Sequence, residues 1–190
     1  MSILDDLHLG QRHRLPAILA AEAAECGLAC MTMISRYYGH NVDLNGLRQR
    51  FSLSLAGASL RSLMGIADQL GFSTRALRVE IAALNKVHLP AILHWDLNHF
   101  VVLKSIGRKT AVIHDPAFGI RKLTHEQMSK HFTGVVLEVA RAEGFEPITQ
   151  TAPMKLSHLW SRLRGFGPAL IQVIVLSAAL QIATFAAPFH

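Results

Sequence analysis

Residues 90–116 read PAILHWDLNHFVVLKSIGRKTAVIHDP, and this stretch decides the fold class. Three short apolar runs rich in β-branched residues, 90–95, 99–106 and 110–114, are broken by Asp96-Leu97-Asn98 and Gly107-Arg108-Lys109 and closed by Asp115-Pro116. Short apolar runs bounded by turn residues predict a small antiparallel meander.

Working outward from that meander, the N-terminal side is helical in texture. Residues 17–38 are rich in Ala, Leu, Met and Glu, contain no Pro and hold one internal Gly. They predict a helix, or a short strand followed by a helix, that stops near Gly39. Asp43 is a candidate N-cap for a short helix through Phe51, and Ser59 for another running to Leu70, with Gly71 as its C-terminal stop. Residues 72–79 alternate loosely as a strand would, and 81–86 suggest a short helix. After the meander, 124–131 (THEQMSKH) predicts a capped surface helix and 134–140 a closing strand. Helices first and strands after predict an α+β domain with segregated halves.

Beyond it the composition shifts. Residues 141–156 contain Gly144, Pro147, Thr149, Thr151 and Pro153 and read as a linker. Residues 156–164 (LSHLWSRLR) are amphipathic, with basic residues near Trp160, and suit a membrane interface. Every charged residue lies in 1–164, and 165–190 has none. About 20 apolar residues span a bilayer, so 165–190 is expected to be a membrane helix, with Arg162 and Arg164 placing the N-terminal side in the cytoplasm. The alternative is a buried helix of a soluble domain. That the chain ends just after this segment suggests a larger protein cut there.

The whole chain has 190 residues and a formal net charge of +6, with eleven histidines counted neutral. Its Lys and Arg are scattered, without the aromatic-interleaved basic stripe of a nucleic-acid binder, so no nucleic-acid partner is expected. The two cysteines, Cys26 and Cys30, stand a helical turn apart. That placement suits neither a disulfide nor a structural zinc site and points to a reducing compartment. The first residues, MSILDDLHLGQRHRLP, are too polar for a secretory signal peptide.

Three residues carry candidate chemistry. Cys26, in Glu25-Cys26-Gly27 near a predicted helix start, is a candidate nucleophile, because a helix N-terminus or a nearby imidazolium favours the thiolate. A helical cysteine is also simply a small buried apolar residue, and Cys30 reads that way. His99 opens an apolar strand after a polar turn, which sets its ring at a sheet edge. His94, His114, His125 and His131 are compatible with surface or strand-end packing. Asp115 ends the next strand, and adjacent antiparallel strands bring the start of one beside the end of the next. Its carboxylate can therefore orient the His99 ring, as a thiol protease requires. Read alone, Asp115 is an ordinary Asp-Pro turn former.

Together these residues resemble a known family: the papain-like cysteine peptidases at the N-terminus of ABC transporters that cleave and export bacteriocin-type peptides with double-glycine leaders. The resemblance spans residues 14–140. It is carried by Glu22-Ala23-Ala24-Glu25-Cys26-Gly27-Leu28-Ala29-Cys30-Met31, Tyr38-Gly39, Leu60-Arg61-Ser62-Leu63 with Ala67-Leu70-Gly71, His94-Trp95-Asp96, Asn98-His99-Phe100-Val101-Val102-Leu103, and His114-Asp115-Pro116-Ala117 with Gly119. It implies a lead-in at 1–13, a papain-like α+β peptidase at 14–140, a linker at 141–164 and the first transmembrane helix at 165–190. Cys26 would attack the carbonyl after the second glycine of the leader, His99 would carry the proton, and Asp115 would hold the His99 ring.

The implied partners are a double-glycine precursor peptide, the bacterial inner membrane with the peptidase on its cytoplasmic side, and a second copy in a dimeric transporter. No cofactor is expected on this chain, and ATP is implied only for the parent transporter's nucleotide-binding domain. One departure stands out. The family's oxyanion glutamine, six residues before the nucleophile, is Ala20 here, and Gln11 lies nine residues further upstream. A weakened enzyme is therefore one reading. A domain that binds and presents the export substrate without cleaving it is the alternative, resembling the arrangement in type I secretion exporters, where the nucleophile itself is absent. Leu60, Leu63, Ile66, Ala67 and Leu70 line either a leader groove or the core. Arg61, Arg75 and Arg78 either pair with leader acids or are solvated.

Overall fold

The computed structural model describes residues 14–51, 57–148 and 166–186, the side chains of the last segment over 171–182. The chain divides into two compact units, Met1–Thr151 and Ala152–His190. In the first, the residues before Cys26 do not form one long helix. Residues 14–20 form neither helix nor strand, Ala23–Glu25 makes a single 3₁₀ turn, and α1 runs Cys26–Tyr37. Partners outside the segment override its alanine-rich propensity. The Pro16 carbonyl accepts from His114 Nδ1 at 2.8 Å, and the Ala20 N–H donates to the Pro116 carbonyl at 2.9 Å.

From Cys26 to Ser35 every residue of α1 is buried. Helix α2, Leu44–Arg50, starts where Asp43 Oδ1 accepts the Gly46 N–H at 2.7 Å, and α3, Leu60–Gln69, starts on the Ser59 cap. Its stop comes as expected at Gly71, which holds φ +76°, a region glycine enters without steric cost. At Gly27 a Cβ would lie 2.8 Å from the Ala58 Cβ and 3.0 Å from a Leu63 methyl carbon. The absence of a side chain there lets the start of α3 close against the start of α1.

The sheet has six strands: β1 Phe72–Arg78, β2 Ala91–Trp95, β3 His99–Ile106, β4 Thr110–Asp115, β5 Gly119–Thr124 and β6 Phe132–Arg141. Its order is β1-β6-β2-β3-β4-β5, with every pair antiparallel. The expected meander is β2–β3–β4. Strand β5 extends it and was not legible in the sequence, because an edge strand burying only Leu123 gives no apolar run. A 3₁₀ segment, Ile81–Lys86, links β1 to β2. Helix α4, His125–Ser129, follows β5 with a complete capping box between Thr124 and Gln127.

Helix α1 lies against the central strand β3. Phe72, Ile92, Phe100, Val102, Leu137 and Val139 pack with α1 to α3 in one core cluster. Leu93, Val101, Leu103, Ile113, Leu123 and Val136 form a second with Leu84 and Met128.

Residues 142–148, expected to begin a linker, fold back onto the first unit. The Asn41 N–H donates to the Ile148 carbonyl at 2.8 Å, and buried His40 accepts the Ile148 N–H at 2.7 Å. The Phe145 ring lies 4.6 Å from that of His40 and 5.3 Å from Phe72. Apolar burial and two backbone bonds outweigh the Gly and Pro content of the segment.

In the second unit, Phe166–Ala186 is helix α5. This helix lies within 165–190, where a membrane helix is expected; among the described residues no helix is long and apolar enough to cross a membrane. The lead-in at 1–13 with Gln11, the linker beyond residue 148 and the amphipathic stretch 156–164 lie outside the described residues.

Candidate active site

Cys26 is the first residue of α1 and is 3% exposed. The neighbouring Glu25 is turned to other work. Its carboxylate takes both Nε and Nη2 of Arg48, and that pairing holds it below the ordinary carboxylate range. The acid beside the thiol is thus neutralised by a cation from α2.

His99 opens β3. The turn before it holds Asp96 at φ +47° and Leu97 at φ +64°, a region costly for residues other than glycine. The turn is clamped from outside: the Asp96 N–H donates to the His131 carbonyl at 2.9 Å, and Asp96 Oδ1 meets His131 Nδ1 at 2.8 Å. The His131 ring in turn stacks on Trp95, with centroids 5.5 Å apart. A fixed turn gives the His99 side chain a fixed origin.

Asp115 closes β4 and is 1% exposed. Val102 faces His114 across β3 and β4, so one further step sets Asp115 diagonal to His99. Asp115 Oδ1 meets His99 Nε2 at 2.9 Å and accepts the Ala117 N–H at 2.9 Å. Burial alone would raise this carboxyl, but hydrogen bonds from His99, Ala117 and Arg121 outweigh it and leave it below the ordinary range. The imidazole moves the other way. Its hydrogen bond to Asp115, and then that to the Cys26 thiol, push His99 up to about 9. With Nε2 on the carboxylate, Nδ1 is the ring nitrogen left for the thiol.

All three candidate residues thus meet at one end of the sheet. Cys30, one turn further along α1, is fully buried, and burial drives its thiol well up. That holds it in the unreactive protonated form.

Of the two readings left open for His114, surface or strand-end packing, the structure shows the second: it is 1% exposed near the end of β4 and ties residue 16 to the sheet. Sequence reasoning missed one contributor, Arg121. Arg121 places Nη1 3.2 Å from Asp115 Oδ2. Recognising β5 as a strand would have exposed it, since the period of two sets residue 121 on the face of Asp115. The candidate leader groove dissolves: Leu63, Ile66, Ala67 and Leu70 are buried core and Leu60 packs against it. Arg61 and Arg78 are exposed, and Arg75 pairs with Glu138 at 2.7 Å. Ala20 is half-buried, its backbone fixed beside the Asp115-Pro116 turn.

A thiol at a helix start, an imidazole beside it and a buried carboxylate behind, with helices packed on an antiparallel sheet, are the parts of a cysteine peptidase domain. The chain belongs to the Peptidase C39 family, whose model matches residues 14–144. It is 43% identical over 186 residues to a probable microcin-H47 secretion/processing ATP-binding protein (MchF) of Escherichia coli, covering 98% of this chain and 27% of that protein. It is 44% identical over 179 residues to the colicin V secretion/processing ATP-binding protein CvaB, also of Escherichia coli, covering 94% and 26%. The chain therefore spans about a quarter of the length of these curated relatives. Among solved structures, a double glycine motif protease from an AMS/PCAT transporter, crystallised with its leader peptide, matches with a TM-score of 0.65 at 36% identity, over 69% of this chain and 94% of that one. The peptidase domain of Streptococcus ComA shares the fold with a TM-score of 0.63 at 21% identity, over 67% and 99%.

Proposed function

We propose that the chain is the leader peptidase of a bacteriocin-type ABC exporter, cleaving its precursor after a Gly-Gly pair. The observation that carries this reading is the His99 ring, with Nε2 on Asp115 at 2.9 Å, raised to about 9 first by Asp115 and then by the nearby Cys26. Cys26 gives its proton to His99 and attacks the carbonyl carbon of the second glycine. The tetrahedral intermediate collapses, the C–N bond breaks, and the departing amine takes the proton from His99. Water, deprotonated by His99, then hydrolyses the thioester and frees the leader carboxylate and the thiol. Asp115 keeps the ring oriented throughout. No cofactor takes part in these steps.

Ala20 weakens one part of this machinery, because the residue carries no side-chain donor for the developing oxyanion. Losing one such donor costs about 10²–10³-fold in rate. That observation favours a second reading, in which the domain holds the precursor for export without cutting it. The relatives' names, secretion/processing ATP-binding proteins, support a parent exporter that binds ATP; the reading adds a separate nucleotide-binding domain, a place in the bacterial inner membrane with this domain on the cytoplasmic side, and two copies per transporter. The charge-free segment 165–190 supports attachment to that membrane portion. Nucleic acid has no part in it.

The deciding experiment incubates the full chain with a synthetic double-glycine precursor and follows the products by mass spectrometry. A cut after the second glycine, lost in Cys26→Ala, is the expected result. An intact precursor that still binds would replace the enzyme reading with the presenting one.

A further inference from the structure

We propose that Arg121 is a positioning residue for the His99–Asp115 pair, keeping the Asp115 carboxylate charge-balanced and aligned while His99 is neutral. The inference rests on the cysteine-peptidase reading above.

The β4–β5 hairpin sets Ile113 opposite Arg121 and Asp115 opposite Gly119. Arg121 is thus the diagonal neighbour of Asp115 on one face, within reach of a long side chain. Its Nη1 takes Oδ2 at 3.2 Å, while Oδ1 takes His99 Nε2 and the Ala117 N–H. Both oxygens are therefore occupied, and the carboxylate plane is fixed from three sides. The Arg121 side chain is 33% exposed and that of Asp115 is 1%. The Phe118 ring covers the guanidinium, its centroid 5.4 Å from Cζ.

The reaction makes this second cation necessary. A buried carboxylate left without a partner charge is strongly unfavourable. While His99 is an imidazolium it supplies that charge. Once the proton has passed to the leaving amine, His99 is neutral and the acyl-enzyme retains a buried anion. A guanidinium is a permanent cation. Arg121 thereby lowers the cost of discharging His99 and keeps Asp115 from drawing the proton back. It also shares the carboxylate with the ring, which limits how basic His99 becomes.

The test uses the full chain with Arg121→Met and Arg121→Lys. Two measurements are made: kcat and KM on a double-glycine precursor, and the titration of the ¹⁵N-labelled His99 ring by NMR without substrate. In Arg121→Met kcat should fall by about ten- to a hundredfold with KM unchanged, and His99 should titrate at higher pH than in the parent. Arg121→Lys should recover most of the rate and return the titration toward that of the parent. A parental rate and titration in Arg121→Met would overturn the proposal. So would equal losses in both variants with the His99 titration unmoved, since Arg121 would then serve packing alone. If the parent chain cleaves nothing, the functional reading fails, and the ring titration still decides the role of Arg121.

Discussion

Two carboxylates are buried in the same sheet, Asp115 at the end of β4 and Glu138 within β6, and they lead to different ends. Both are pushed upward by burial, and both finish below the ordinary carboxylate range because donors outweigh it. Both have an arginine: Arg121 at 3.2 Å for Asp115 and Arg75 at 2.7 Å for Glu138. What differs is the remaining partner. Glu138 takes the backbone N–H of His88 at 2.8 Å, a donor that never changes its charge. Asp115 takes an imidazole that can pass a proton to a thiol. The same physics of a buried, paired anion makes an architectural tie in one place and, on the proposed peptidase reading, a proton-handling device in the other. The switchable partner decides which.

The largest test of that contrast removes the thiol. Cys26→Ala should lower cleavage by at least about 10⁴-fold, whereas Cys30→Ala should leave the rate nearly intact, since that thiol is buried and held protonated. Mass spectrometry of precursor cleavage reads both, and similar losses would remove Cys26 from its assigned role. Ala20→Gln should act in the opposite direction. The Ala20 N–H is anchored on Pro116, so a longer side chain at this position starts from a fixed point beside the catalytic end. A restored donor should raise kcat by up to about 10²–10³-fold. An unchanged kcat would place residue 20 outside the oxyanion site.

The pH dependence sharpens the contrast further. Asp115 and then Cys26 push His99 to about 9, so the proton needed by the leaving amine is lost as pH rises through that value. The rate should fall there. Because the folded pKa lies above the unfolded one, the stability contributed by His99 is complete below about 6.5 and disappears over the same rise. Asp115→Asn removes the largest cause of the shift and should bring the alkaline limb down toward neutrality, together with the rate. A limb that stays put would uncouple Asp115 from the ring.

How much of this was legible in the sequence follows from where the signals are local. Asp43 and Ser59 announced their helices, because a cap is written within three residues. β3 was bounded correctly from its apolar run and flanking turns. The strand-start and strand-end logic anticipated the His99–Asp115 contact, and motif order singled out Cys26 as the third candidate. What failed depended on distant partners. Residues 14–20 stay outside the helix because Pro116 and His114 claim their backbone, and residues 142–148 dock because His40, more than a hundred positions earlier, accepts the Ile148 N–H. Arg121 was invisible for a related reason: its strand is an edge, and edges need little apolar sequence.

The smallest effect on catalysis, and the cleanest separation, comes from Glu138→Gln. Gln cannot supply the charge that Arg75 meets, although it can still accept from the His88 N–H. Arg75 is well exposed, so the ion pair is screened by water and the loss of stability should be modest, about 1–3 kcal/mol. Its sign against pH is fixed by the lowered folded pKa. The contribution of Glu138 is present above the ordinary carboxylate pKa and is lost as pH falls through the folded value. The parent and Glu138→Gln should therefore converge in stability on acidification, as urea unfolding at pH 7 and pH 3 would show. Cleavage at neutral pH should change by less than about twofold in the folded protein, because no atom of this cluster exchanges a proton with substrate. A loss of rate comparable to that of Asp115→Asn would break the distinction between the two carboxylates. It would mean that β6 transmits strain to the catalytic end through the Trp95–Phe132 pairing, where β2 and β6 shift register.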